Sequence, residues 1–381
     1  MWVPFEGEVA WMRPEGRKTY FKGTVNRVAC DFRPWSIEQR VREGDPALRR
    51  CSRWATLHAV HDTFIDTLLS RHGVRADALR CVARLDCEVW RVRRKDGPDL
   101  ALRIYPPGHQ DRAAIDTELD WLEALAAAGL HVPVPQCSAE GARLHRHPDG
   151  RHAVLLTWLD GRHCDRGLTP ARLQAVGRFT GALHRVATAL HAAGRVRLQR
   201  EATPLDLPAW AGGTRPGMER LRTTHRALLR DAAARLHEEI EAFGRGPENW
   251  GLVHGDLHPW NLLFVRGAAG AIDFTDCGMG HRAMDLAATL QYLRYPLVNN
   301  HDHRRQYAAL HDALLRGYAA EHTHPPDLAR QVSVLVTARL FLTLAWMLDD
   351  WPALDHRPWG PGFIRGSQRA LRAWLAYPPE V

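Results

Sequence analysis

The chain has 381 residues, 45% of them hydrophobic and 25% charged, with a formal net charge of +8. That length favours two lobes over one, and the balance is that of a globular chain with a real core. The positive charge does not make a nucleic-acid protein, because the arginines are spread among acids instead of forming a basic block. No run of about 18 uninterrupted apolar residues occurs. Glu6 and Glu8 stand where a signal peptide needs an apolar stretch, so no membrane association and a cytoplasmic location are expected. Seven scattered cysteines, never spaced C-x-x-C, read as reduced thiols and not as a disulfide or zinc framework. The only lysines are Lys18, Lys22 and Lys95, so a phosphate-gripping cation in the main domain has to be arginine or Lys95.

Residues 1–55 show no sustained period and read as an N-terminal extension without an assignable role. From Thr56, the positions Leu57, Val60, Phe64, Ile65 and Leu68 share a helical face that Gly73 stops. Three strands follow, Cys81–Arg84, Glu88–Arg94 and Leu100–Tyr105. Lys95-Asp96-Gly97 turns between the last two, since Asp-Gly tolerates positive φ. A helix from about Asp111 to Ala128 ends at Gly129. Strands at Val132–Val134, Ala142–His145 and His152–Trp158 complete a small sheet, so residues 56–159 form a sheet-rich first lobe.

From residue 160 to 381 the spacing is helical, near 169–193, 217–243, 281–294, 304–320, 327–348 and 361–375, with a Pro/Gly-rich loop at about 201–216. The fold class predicted is α+β: a small antiparallel sheet with one main helix, then a larger helical lobe.

One strand island interrupts the helices, GLVHGDLHPWNLLFVRGAAGAIDF from Gly251 to Phe274. Asp256 sits in a loop between Gly255 and Pro259, and Asn261 opens a run ending at Val265. Residues 266–270 read as a turn, and Ala271–Phe274 returns. If Val265 pairs with Ala271, Leu263 lies opposite Asp273. Strand alternation then puts Asn261, Leu263 and Asp273 on one face, and Leu262, Phe264, Ile272 and Phe274 on the other. Asn261 and Asp273 become diagonal neighbours within roughly 7–8 Å. A lone Asp or Asn beside a glycine is more often a turn former. Two such oxygen donors with Asp256 in the adjoining loop point instead to a hard cation such as magnesium. His254 and His258 are not H-E-x-x-H on a helix, and His254 reads as structural.

His254-Gly255-Asp256, Asn261 and Ile272-Asp273-Phe274 resemble the H-G-D-x-x-x-x-N and [IL]-D-[FW] elements of the aminoglycoside phosphotransferase/choline kinase superfamily. Asp276, Cys277, Gly278, Gly280 and Asp285-Leu286-Ala287 are similar to its homoserine-kinase-like and stress-response kinase-like branch. The resemblance covers about Arg80 to Trp374. It implies a bilobal protein-kinase-like fold and an ATP- and magnesium-dependent kinase acting on a small hydroxyl-bearing substrate. Asp256 is then the catalytic base, Asn261 and Asp273 the magnesium ligands, and His254 and Asp285 structural supports.

Leu100-Ala101-Leu102-Arg103 stands where kinases carry Val-Ala-Ile-Lys, so Arg103 is expected to touch ATP phosphates. Glu118 rides beside the apolar stripe of its helix, which is costly unless a cation meets it, and Arg103 is the natural partner. Thr157, Trp158 and Leu159 are expected to form the hinge that meets adenine. The loop Arg84–Glu88 has no glycines to cover phosphates, a departure from protein kinases. Asp349, Asp350 and Asp355 offer an amine-binding cluster or simply a solvated loop. The alternative activity is a regulatory Ser/Thr protein kinase of the stress-response kinase-like type. Only twelve residues carry the chain from Asp273 to Asp285, too few for a peptide-docking platform.

Overall fold

The computed structural model describes residues 58–376 except 85–86, 164–166, 198–199, 203–204, 213–215, 220, 296–304 and 350–359. The N-terminal extension, Asp350 and Asp355 therefore lie outside the described residues, as does the side chain of Asp349.

Helix α1 (His58–Arg71) precedes strands β1 (Ala78–Arg84), β2 (Glu88–Arg93) and β3 (Leu100–Tyr105), helix α2 (Arg112–Ala127), and strands β4 (Leu144–Arg146) and β5 (His152–Thr157). The five strands form one antiparallel sheet in the order β1-β2-β3-β5-β4. Side chains alternate across a strand, and β3 uses both faces. Leu100, Leu102 and Ile104 are buried with Phe64, Ile65 and Leu68 of α1. Tyr105 packs into the core containing Ile115, Leu119 and Leu122 of α2. Arg103 shares the Tyr105 face, and that parity aims it at α2.

The strand expected at Val132–Val134 is not there. Pro133 and Pro135 cannot donate to a ladder. The segment instead runs beside β5 through one bridge, Pro135 to Leu156, with Gln136 N–H donating to Leu155 O at 2.8 Å.

The second lobe begins with β6 (Arg162–His163) and holds α3 (Pro170–Ala192), α4 (Leu207–Gly212), α5 (Pro216–Glu219) and α6 (Thr223–Glu241). It continues with β7 (Trp250–Val253), β8 (Leu262–Val265), β9 (Ala268–Ala271) and β10 (Gly278–His281). Helices α7 (Ala283–Arg294), α8 (Tyr307–Ala319), α9 (Leu328–Asp349) and α10 (Gly360–Ala376) complete it. The segment expected as loop at 201–216 carries α4, whose Trp210 ring meets Phe341 of α9 at 5.1 Å, edge-on. The stretch Leu328–Leu348 is long and apolar enough to cross a membrane by length and composition alone, yet 72% of its most apolar window is buried in the fold.

The β8–β9 hairpin corrects the expected register. Val265 pairs with Ala268, not Ala271, and Leu263 with Gly270, not Asp273. The turn is two residues, Arg266 and Gly267, with φ of 50° and 88°. Two consecutive positive φ values match the right-handed twist of paired strands, which makes this short turn favoured over a five-residue one. Leu263, placed by alternation on the site face, is buried, and Ile272, placed on the buried face, is only half-buried.

Helices α3 and α8 approach backbone to backbone. A Cβ on Gly177 would run into the Leu314 carbonyl oxygen, and one on Gly317 into that of Gln174. This contact sets the positions of His184 and Tyr318, used below. Gly317→Ala is expected to lower stability by about 1–3 kcal/mol through overpacking. Equilibrium denaturation checks this, and a midpoint equal to the parent's would contradict the close approach.

Candidate active site

The polar centre of the second lobe is Asp285, in the first turn of α7 and fully buried. Its Oδ2 accepts the backbone N–H of His254 at 2.8 Å, and its Oδ1 that of Gly255 at 2.9 Å. His184 Nε2 lies 3.0 Å from Oδ2, and His184 Nδ1 lies 3.0 Å from the Tyr318 hydroxyl. Burial would raise the pKa of Asp285, but the hydrogen bonds from His184 and the His254 backbone outweigh it and hold the carboxyl below its ordinary range. Burial lowers the pKa of His184, favouring its neutral form. The loop 254–261 is thus hung from one ionised carboxylate. A second anchor is Thr289, whose hydroxyl donates to Leu257 O at 2.8 Å.

Asp256 projects from this loop. Its Oδ1 accepts from Nη2 of Arg339 at 2.5 Å, and its Oδ2 lies 3.3 Å from His258 Nε2. Burial opposes ionisation, but His258 and Arg339 offset it, and the Asp256 carboxyl sits below the usual carboxylate range. His258 is itself held below its ordinary value by burial. Arg339, whose charge is permanent, is therefore the lasting partner. Asn261 is buried, and its Nδ2 donates to the Asp256 carbonyl oxygen at 3.0 Å, leaving its amide oxygen as the free end.

Ile272 N–H donates to Asn261 O at 2.9 Å, which closes the base of the hairpin one residue before Asp273. Asp273 then adopts φ 65°, ψ 64°, a left-handed conformation uncommon outside glycine and tolerated by aspartate. This turn, and not strand alternation, sets the direction of its carboxylate. Thr275 Oγ1 donates to Asp273 Oδ1 at 2.7 Å, and the side chain remains 55% exposed.

Arg103 bridges the lobes. Its Nη1 lies 2.5 Å from Glu118 Oε1, and its Nη2 lies 3.8 Å from Asp273 Oδ1. The Tyr105 hydroxyl donates to Glu118 Oε2 at 3.0 Å. Burial opposes the charge on Arg103, Glu118 more than compensates, and its pKa rises well above the ordinary value. At the proposed hinge, Thr157 N–H donates to Val134 O at 2.9 Å and Trp158 N–H to Asp99 O at 3.1 Å. Arg91 stacks over the Trp158 ring at 4.5 Å, and Leu159 is half-buried.

A family model described as the phosphotransferase enzyme family matches residues 83–331, which takes in the Arg103 strand, the 254–261 loop and Asp285. The chain belongs to that family. It is an enzyme, a kinase with an alcohol group as phosphoryl acceptor. The chain is 24% identical over 263 residues to the amicoumacin kinase of Bacillus subtilis, covering 68% of this chain and 76% of that one. It is 28% identical over 266 residues to a homoserine kinase of Gluconacetobacter diazotrophicus, covering 68% and 77%. Among solved structures, an amicoumacin kinase complex with AMP-PNP, Ca2+ and amicoumacin superposes with a TM-score of 0.67 at 19% identity, covering 81% of this chain and 92% of that one. The last likeness establishes the kinase-like bilobal fold, with its antiparallel first lobe and helical second lobe.

Sequence reasoning missed Arg339. Its signal was nonetheless present: a lone cation amid VSVLVTARLFLTLAW, a run whose burial obliges an arginine to find an acid. It also missed Trp260 and Tyr292, whose rings meet edge-on at 5.0 Å, each 5.5 Å from His258.

Seven histidines among the described residues give this family member a pH signature. Burial holds His72, His145, His152, His184 and His258 below the ordinary value of 6.5, and lowers His281 and His322 to about 4. The unfolded chain takes up protons at these rings near pH 6.5, while the folded chain resists until lower pH. Unfolded therefore binds more protons than folded in this window, and stability falls as pH falls. The depressed carboxyls of Asp256 and Asp285 act only below it. Denaturant midpoints are expected to be lower at pH 5.0 than at pH 7.5, and a flat or inverted dependence would refute the neutral assignment.

Proposed function

We propose that the chain moves the γ-phosphoryl group of ATP to a hydroxyl of a small molecule, with Asp256 orienting that hydroxyl and receiving its proton. The observation that carries the reading is Asp256 itself. It is an ionised carboxylate, 27% exposed, on a loop that Asp285 fixes through two backbone N–H groups. As the acceptor oxygen bonds to the γ-phosphorus, the bridging oxygen to the β-phosphate leaves with ADP, and the hydroxyl proton passes to Asp256. A carboxyl with a depressed pKa is a weak base, so it works mainly by orientation and accepts the proton late, as suits a loose phosphoryl-transfer transition state.

The donor set suits magnesium. Asn261 commits its nitrogen to the Asp256 carbonyl, which leaves its amide oxygen for a cation, and Asp273 offers an exposed carboxylate. An amide oxygen and a carboxylate, completed by phosphate oxygens and water, are what this cation takes. Among the described residues no three His, Cys, Asp or Glu side chains cluster for a metal. Bound there, magnesium would neutralise charge on the β- and γ-phosphates. Arg103, backed by Glu118, is assigned to the nucleotide phosphates. Thr157 and Trp158 spend their N–H groups on the protein, which leaves Leu159 as the backbone position to meet the adenine edge.

A small acceptor fits better than a peptide. Between Asp273 and Asp285 lie a 3-10 turn at Phe274–Asp276, strand β10 and the start of α7, without an extended docking segment.

The test is ATP consumption, with magnesium, over hydroxy acids, hydroxy amino acids, amino alcohols, sugars and aminoglycosides. On the best acceptor, Asp256→Asn is expected to lower kcat about 10²- to 10⁴-fold, with Asp273→Ala also severely impaired. Parent-like turnover by both would sink the assignment. For the nucleotide, Arg103→Ala is expected to raise KM for ATP at least tenfold, with Arg103→Lys in between. Unchanged nucleotide affinity would remove Arg103 from that role.

A further inference from the structure

The guanidinium of Arg339 is placed to do more than neutralise Asp256. Nη2 meets Asp256 Oδ1 at 2.5 Å and Nη1 meets Gly255 O at 3.3 Å. Among the described residues, its Nε is buried without a hydrogen-bond partner. Nε and Nη2 lie along one edge of the planar fork, so the vacant donor faces the side on which Asp256 sits. A buried guanidinium N–H left unmade is costly, and an anionic oxygen arriving beside Asp256 removes that cost.

The surroundings strengthen the effect. The Arg339 side chain is 11% exposed. Burial pushes the Tyr292 hydroxyl beside it up to about 12, the mark of a water-poor wall. Tyr292 also hydrogen-bonds Thr343, one turn along α9 from Arg339. Trp346, a further turn on, continues the same stripe and is 58% exposed, while Trp260 on the 254–261 loop is 40% exposed. In such a setting charge pairs are stronger than in water. Asp276 also acts on Arg339 and lies at the exposed surface. His258 is held toward its neutral form and adds no lasting charge.

Resting on the reading of Asp256 above, we infer that the acceptor carries a carboxylate close to its reactive hydroxyl, and that Arg339 Nε is the donor that reads it. Arg339 is then the residue that selects hydroxy acids and hydroxy amino acids over amino alcohols and polycationic aminoglycosides. An ammonium group in the same place would face a guanidinium and leave Nε unmade.

The experiment compares each hydroxy acid or hydroxy amino acid turned over in the acceptor screen with its isosteric primary amide, using the full chain. In the parent enzyme, kcat/KM is expected to be at least tenfold higher for the acid than for the amide, mostly through KM. Arg339→Gln is expected to shrink that ratio to less than threefold, whatever its absolute rate, and Arg339→Lys to restore part of it. KM for ATP reports whether each variant retains its nucleotide site. Hits confined to uncharged or cationic acceptors would overturn the inference while leaving the phosphotransferase reading intact. So would an acid-to-amide ratio that Arg339→Gln does not change. Turnover that survives Asp256→Asn would be the separate failure of the underlying reading.

Discussion

The site depends on a carboxylate that does not face the crevice. Asp285 is buried, ionised and spends both oxygens on the backbone of the loop that presents Asp256. A buried charge is tolerated only when its hydrogen bonds are made. His184 and the two N–H groups make them, and through Tyr318 the network reaches α8. The backbone contact between α3 and α8 therefore bears on the geometry of the loop. Replacing Asp285 would leave two backbone donors orphaned in the core, the kind of loss that unfolds a loop locally.

Arg103 plays a matching part between the lobes. Strand parity turns it toward α2, where Glu118 would otherwise be an unpaired acid in an apolar stripe. The same guanidinium leans toward Asp273. Further ties across the lobes are the Trp121–Phe274 ring contact at 5.4 Å and the bond from Gln110 to the Thr275 carbonyl. The proposed nucleotide site is thus bordered by charge pairs already in place, which would lower the reorganisation that phosphoryl transfer needs.

The two carboxylates of the proposed centre are held differently. Asp256 is clamped by Arg339 and His258, so its direction is fixed and its basicity reduced. Asp273 is exposed and steered by backbone conformation, as befits a group proposed to meet a cation and phosphate. Orientation and charge neutralisation are divided between a rigid side chain and a strained backbone position.

Local pattern alone determined much of this protein. Apolar periodicity placed most strands of the first lobe, α2 and most second-lobe helices, because amphipathic spacing is set by which residues must be buried. The short-range spacing of Asp256, Asn261 and Asp273 pointed to the centre proposed above, and an acid within an apolar stripe announced the Glu118–Arg103 pair. Tertiary structure decided what depends on residues far apart or on backbone dihedrals. A two-residue turn replaced the expected five-residue one because Arg266 adopts positive φ, which composition did not reveal. The left-handed Asp273 made strand alternation the wrong guide to its direction. Arg339 reaches Asp256 across 83 positions of sequence; the sequence could show that this arginine needed an acid, but only the packing of α9 against the loop chose which one.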